Sequence, residues 1–87
     1  MEQLEYLYDD GVNIVIVHNE SGYNVNIECE NPPMMTFQSF EDMLYGIAPI
    51  AQKYMLDVLD VEALAIALNY NFRNDLGEKG ITELLLK

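Results

Sequence analysis

The one histidine and the one cysteine of the chain are the residue types best suited to nucleophilic catalysis. His18 and Cys29 lie eleven positions apart, on either side of the turn-forming run NESG at residues 19–22, so they could be neighbours across a hairpin. Catalysis by such a pair also needs an orienting group, and no catalytic motif stands out. The simpler interpretation is a histidine at the edge of the core and a buried, inert thiol. We therefore expect that the protein is not an enzyme.

The sequence predicts neither a metal site nor a cofactor. Asp57, Asp60 and Glu62 lie close together, but they lack the turn glycine and the ligand spacing of a calcium loop. A helix start at Asp57 is a sufficient explanation for them. The run GEKG at residues 77–80 lacks the spacing and the strand-to-helix context of a phosphate-binding loop. One arginine and three lysines form no basic patch, which argues against direct binding of nucleic acid.

The net charge is the most unusual property of the sequence. Fifteen acidic residues oppose four basic ones and give a formal net charge of −11, whereas a small domain typically carries a magnitude of about 2 to 8. Residues 1–52 contain nine carboxylates and no basic residue, and the basic residues are Lys53, Arg73, Lys79 and Lys87. Such a field repels nucleic acid and anionic membranes and attracts basic proteins. We therefore expect a basic protein partner and no membrane contact.

One face of a predicted strand at residues 23–30 is the clearest candidate binding surface. The alternation predicts a buried face of Tyr23, Val25, Ile27 and Cys29 and a solvated face of Asn24, Asn26, Glu28 and Glu30. On a strand, Glu28 and Glu30 would project about 6.6 to 7 Å apart, within the range of successive phosphates on a nucleic-acid backbone. Carboxylates at this spacing can occupy arginine and lysine side chains that bind phosphate. The alternative is that the carboxylates only keep a small apolar protein soluble.

Acidic residues outside this strand extend the predicted surface. The predicted partner-binding residues are Asn24, Asn26, Glu28 and Glu30 on the strand, Glu20 at the turn, Glu41 and Asp42 at the next helix start, and Asp9 and Asp10. Electrostatic attraction through such a surface would speed association and would weaken with salt.

A β-hairpin must position this surface. The run VNIVIVH at residues 12–18 is rich in β-branched residues and is apolar on both faces, which predicts a central strand. The strand at residues 23–30 pairs with it and ends at Asn31-Pro32-Pro33, because proline cannot donate to a ladder. The run MMTFQ at residues 34–38 is a candidate third strand.

Two helices are predicted after the strands. The first begins near Ser39, with Asp42 three residues later as in a capping box, and runs to about residue 56. Pro49 either kinks or breaks it, and the unbroken phase of the apolar stripe favours a kink. The second helix covers residues 58–74 with Asp57 as its N-cap. Residues 81–87 are too short to assign and form either a helical turn or a strand.

The sequence therefore predicts an α+β protein with a single domain over residues 1–87. An N-terminal antiparallel β-hairpin or three-stranded sheet packs against two main helices, with a short C-terminal element. No apolar run approaches the roughly 20 residues that span a bilayer. The N-terminal MEQLEYLYDD has no signal-like segment, and a lone cysteine excludes an internal disulfide, so we expect a cytoplasmic protein.

In small size, acidity and lack of cofactor motifs, the chain resembles the small acidic inhibitors encoded by phages and other mobile elements. These include anti-CRISPR and anti-restriction proteins, many of which imitate nucleic acid, and acidic immunity proteins that neutralise nuclease toxins are similar in kind. The resemblance implies a non-enzymatic inhibitor that blocks a basic, nucleic-acid-handling surface of a partner such as a nuclease, in the host cytoplasm. The class shares no sequence signature, so no residue is carried over from it.

The alternative function is that of a small structural or assembly protein. It would form a homo-oligomer through the apolar C-terminal residues Ile81, Leu84, Leu85 and Leu86.

Overall fold

A computed structural model describes residues 2–8 and 11–87 of the chain. Four strands precede three helices. These elements are β1 (Glu2–Leu7), β2 (Asn13–Asn19), β3 (Gly22–Ile27), β4 (Met34–Phe37), α1 (Phe40–Tyr54), α2 (Val58–Asn71) and α3 (Gly77–Leu86). The strands form one antiparallel sheet in chain order. The protein is therefore α+β with an N-terminal sheet, as the sequence predicts.

The sheet has four strands because the N-terminal segment adds an edge strand that we do not predict. β1 pairs with β2 from Glu2 opposite His18 to Leu7 opposite Asn13. Glutamate is depleted in strands, so local propensity argues against β1, and pairing with the neighbouring strand overrides it. β2 is paired on both sides, which confirms the central strand, and β4 confirms the third strand.

The strand β3 ends at Ile27, and the prediction of a strand up to residue 30 is wrong at its end. The backbone N–H of Glu30 donates to the carbonyl of Ile27 at 3.0 Å, which closes a turn over residues 27–30. The N–H of Ile27 donates to the carbonyl of Pro33 at 2.8 Å. Glu28 and Glu30 therefore do not share a strand face, and Cys29 is exposed rather than buried.

The predicted caps of both main helices are confirmed. The Ser39 hydroxyl accepts from the backbone N–H of Asp42 at 3.1 Å, and α1 continues through Pro49 to Tyr54 as one helix. The Asp57 carboxylate accepts from the backbone N–H of Leu59 at 2.9 Å at the start of α2. α2 ends at Asn71, three residues before the predicted boundary.

The helix α3 completes the core and buries three of the four side chains assigned to the alternative oligomerisation surface. It contacts both α1 and α2, which make few direct contacts with each other. The side chains of Ile81 and Leu85 are fully buried and that of Leu84 is 8% exposed, whereas Leu86 is 43% exposed. The amide of Gln52 on α1 donates to the carbonyl of Leu85 at 2.9 Å. Most of these apolar side chains are therefore buried inside the protein.

Gly22 provides a test of the close approach between β3 and β4. Its φ is +114°, and a Cβ there would lie 2.3 Å from the carbonyl oxygen of Phe37. Gly77 also has a positive φ, +71°, but a Cβ there would meet no atom within 4 Å. We expect Gly22→Ala to lower the free energy of unfolding by about 3 kcal/mol, and the control Gly77→Ala by about 1 kcal/mol. Urea denaturation measures both, and equal losses would contradict the close approach.

Candidate functional site

The predicted partner-binding residues do not form one surface. They divide among the outer face of the sheet (Asn24 and Asn26), the turn after β3 (Glu28 and Glu30) and the opposite end of the molecule (Glu20, Glu41 and Asp42). Asp9 and Asp10 lie outside the described residues. The separation arises because β3 ends before Glu28, and because α1 starts at the end of the sheet that carries the β2–β3 turn.

The outer face of the sheet, opposite the helices, is amide-rich and aliphatic rather than acidic. The register brings together on it the side chains of Gln3, Glu5, Leu7, Asn13, Val15, Val17, Asn24, Asn26, Met34 and Thr36. The amide of Asn24 donates to the Val17 carbonyl at 3.3 Å and to Asn19 Oδ1 at 3.1 Å, and its oxygen accepts from Thr36 Oγ1 at 3.0 Å. Asn24 therefore ties strands together, and Glu5 is the one carboxylate among these strand residues.

Glu30 is neutralised by residues at the end of α1. Tyr54 Oη donates to its Oε2 at 2.6 Å, and Lys53 Nζ lies 3.0 Å from the same oxygen. The hydrogen bond from Tyr54, and next that from Lys53, hold the pKa of Glu30 below its ordinary value. The carboxylate in turn raises the pKa of Lys53 and raises that of Tyr54 to about 12. Glu30 is therefore occupied by Lys53 and Tyr54, so Glu28 and Glu30 do not form a pair of free carboxylates.

Three exposed carboxylates at the other end of the sheet form what we call the turn-end acidic set, Glu20, Glu41 and Asp42. Gly22 lies against Phe37, so the β2–β3 turn sits beside the connection from β4 to α1. Within residues 2–8 and 11–87, none of the three carboxylates makes an ion pair. The set is therefore a free negative surface, partly balanced by the positive end of the α1 dipole.

His18 lies at this same end in a polar arrangement with Glu2 and Tyr23. Its Nδ1 is 3.0 Å from Glu2 Oε1, and its ring stacks on Tyr23 with centroids 4.0 Å apart and planes 5° apart. The bond from His18, with a smaller contribution from the backbone of Arg73, holds the pKa of Glu2 below its ordinary value. Burial raises the pKa of Tyr23. An open depression of about 630 Å³ beside them is lined by Glu2, His18, Asn19, Glu20 and Ser21.

The hairpin does not bring His18 and Cys29 together. Ile14 pairs with Ile27, and Cys29 lies beyond that end of the hairpin. His18 is four residues away along β2, about 13 Å at the rise of a strand, so a Cys/His pair does not form. Among the described residues, no group of three histidine, cysteine, aspartate or glutamate side chains is placed to hold a metal ion.

Sequence reasoning misses an exposed apolar stripe on α2. The buried face of the helix is Val61, Leu64, Ala65 and Leu68. Leu59, Ile66 and Tyr70 are 70%, 51% and 88% exposed, and Ala63 between them is also exposed. The signal is present in VLDVEALAIALNYN, where apolar residues occur at a second set of positions with helical spacing. The first set packs into the core, and the second set stays exposed.

The chain matches no protein-family model, and no curated protein or solved structure is significantly similar to it. Within the described part of the chain, none of the helices combines the length and the apolar character needed to cross a bilayer.

The contact between Tyr54 and Glu30 predicts a change in acid titration. Tyr54→Phe removes the hydrogen bond that most lowers the Glu30 pKa, so this pKa should rise towards 4.5. Because the folded-state pKa is depressed, the stabilisation from Glu30 is present above the unfolded pKa and is lost as the pH falls through the folded one. Carbon-detected NMR titration of the Glu30 carboxyl measures the shift.

Tyr45→Phe is the matched control for this titration. Tyr45 is a tyrosine of the same helix with half of its side chain exposed, and its replacement should leave the Glu30 titration unchanged. A Glu30 pKa that does not move in Tyr54→Phe would disprove the contact.

Proposed function

We propose that the protein is a non-enzymatic acidic binding protein that blocks a basic, nucleic-acid-handling surface of a partner protein. The observation that carries this proposal is the turn-end acidic set, whose three exposed carboxylates make no ion pair with any described residue. A net charge of −11 adds long-range attraction to a basic partner.

The chemistry of the set supports recognition of side chains that normally bind phosphate. Arginine and lysine form charge-assisted hydrogen bonds with carboxylates as they do with phosphate oxygens. Glu41 and Asp42 lie in the first turn of α1, and Glu20 lies in the two-residue turn that joins the paired residues Asn19 and Gly22. A partner whose basic residues are occupied in this way cannot bind nucleic acid, as expected for the many phage inhibitors of this kind that imitate nucleic acid.

The positions of His18 and Cys29 also favour binding over nucleophilic catalysis. They lie at opposite ends of the β2–β3 hairpin, whereas a nucleophile and its base must lie within hydrogen-bond reach. His18 instead contacts Glu2 and Tyr23. We therefore propose a protein surface, rather than a pocket, as the functional part of the molecule.

Neutralising the turn-end acidic set tests this proposal. The immobilised protein is used to capture partners from a host lysate at about 50 mM and about 500 mM salt, followed by mass spectrometry. We expect a nucleic-acid-binding protein that is retained at low salt and displaced by added duplex DNA. The variant Glu20→Gln, Glu41→Gln, Asp42→Asn should bind that protein about tenfold more weakly, at roughly 0.5 kcal/mol for each exposed charge.

A second triple variant controls for the change in net charge. Glu5→Gln, Glu28→Gln, Asp75→Asn removes the same number of charges from exposed side chains elsewhere on the surface, and it should keep most of the affinity. Circular dichroism confirms that both variants are folded, since Glu41 and Asp42 also stabilise the start of α1. Equal losses in the two variants, or a partner that DNA does not displace, would refute the proposal.

A further inference from the structure

The helix α2 carries apolar residues on two opposite sides. Its inner side packs into the core, and the other side consists of Leu59, Ala63, Ile66 and Tyr70, which we call the α2 outer stripe. At 3.6 residues per turn, the outer stripe points directly away from the buried side. Single exposed apolar residues are common on protein surfaces. An aligned set is different, because an apolar stripe along a helix normally faces a packing partner.

The spacing of the outer stripe matches the contact surface of another helix. Its residues recur at intervals of four, three and four positions, the pattern with which helices interdigitate. From Leu59 to Tyr70 the stripe is about 16 Å long at 1.5 Å per residue. A helix of about three turns, with its own apolar residues at the same spacing, would cover it.

Carboxylates border the stripe. A shallow groove of about 300 Å³ runs beside Ile66 between α2 and α3, and it is lined by Glu62, Ile66, Glu78, Lys79, Thr82 and Glu83. At the Leu59 end of the stripe, Asp57 caps the helix and Asp60 lies in its first turn. At the other end, Tyr70 lines an open cleft together with Glu2, Arg73 and Asp75. The charge around the stripe is negative, although Lys79 and Arg73 reduce it.

This charge distinguishes between two occupants of the stripe. A second copy of the chain would bring the same surplus of carboxylates and a further net charge of −11, and like charges that face each other across an interface oppose association. A helix that carries lysine or arginine beside its apolar residues would instead pair with Glu62, Glu78 and Glu83. Charge complementarity therefore favours a basic partner.

We propose that the α2 outer stripe is the docking site for a basic amphipathic helix of a partner protein. Apolar residues of that helix cover Leu59, Ile66 and Tyr70, and its basic residues contact the carboxylates that line the groove with α3. This surface goes beyond the turn-end acidic set. It consists of different residues, and its affinity rests largely on apolar burial, so it persists at salt concentrations that abolish a purely electrostatic contact.

A designed peptide tests the site on the full chain. The probe is a helical peptide of about fourteen residues with leucine at three- and four-residue intervals and lysine elsewhere. Its binding is measured by fluorescence anisotropy and its location by amide NMR. We expect perturbed signals on α2 and α3, and affinity at least tenfold higher than for a scrambled peptide of the same composition or for the peptide with glutamate in place of lysine.

Substitutions in the chain locate the contact. Leu59→Gln with Ile66→Gln should lower the affinity at least tenfold, and both side chains are exposed, so the fold should persist. The matched control is Leu7→Gln with Met34→Gln, which changes two residues of similar exposure on the outer face of the sheet and should leave the affinity unchanged. The turn-end triple variant should change it less than twofold, so a failure here is distinct from a failure of the proposed function.

Three outcomes would overturn the docking site. The scrambled peptide could bind as tightly as the patterned one, which would mean attraction by charge alone. The perturbed signals could lie away from α2 and α3. Sedimentation could reveal a concentration-dependent dimer that Leu59→Gln with Ile66→Gln abolishes, which would identify a second copy as the occupant.

Discussion

The aromatic contact among Tyr23, Phe40 and Phe72 joins the sheet to the helices. Tyr23 of β3 lies edge-on to Phe40, the first residue of α1, and to Phe72, which caps α2, with centroids 5.7 and 5.8 Å apart. The ring of His18, on β2, stacks on the face of the Tyr23 ring, and its Nδ1 lies within hydrogen-bond distance of the Glu2 carboxylate on β1. The Tyr23 ring therefore links β2 and β3 to the start of α1 and the end of α2, and His18 extends the contact to β1. Aromatic pairs of this geometry contribute roughly 0.5 to 1.5 kcal/mol each beyond their buried area. The contact of Phe40 with Tyr23 holds the start of α1, and with it Glu41 and Asp42, against the sheet.

Local features of the fold were predictable from the sequence, and those that depend on distant pairing were not. The caps at Ser39 and Asp57 are properties of a few neighbouring residues, so the helix starts followed directly. β1 escaped prediction because pairing with β2 stabilises it against its own propensity. The error at Glu28 and Glu30 has a related cause. Alternation of apolar and polar residues continues past Ile27, but backbone hydrogen bonds end the strand there, and alternation carries no information about those bonds.

The same distinction applies to the candidate binding surfaces. The sequence indicated a negative N-terminal half, and the turn-end acidic set is drawn from it. It could not indicate that Lys53 folds back onto Glu30, because that contact joins residues 23 positions apart through the packing of α1. The outer stripe of α2 was readable in principle, since helical spacing alone defines it. Two candidate surfaces of different chemistry result, one made of charge and one of exposed apolar side chains, and salt weakens contacts to the first more than contacts to the second.

The place of α3 has a consequence for how the helices unfold. α1 and α2 make few contacts with each other, and the fully buried Ile81 and Leu85 belong to the helix that joins them. Detachment of α3 alone would open to water the apolar sides of α1 and α2 that it covers. The three helices therefore form one cooperative unit, in which the loss of α3 removes most of the contact that keeps the other two together.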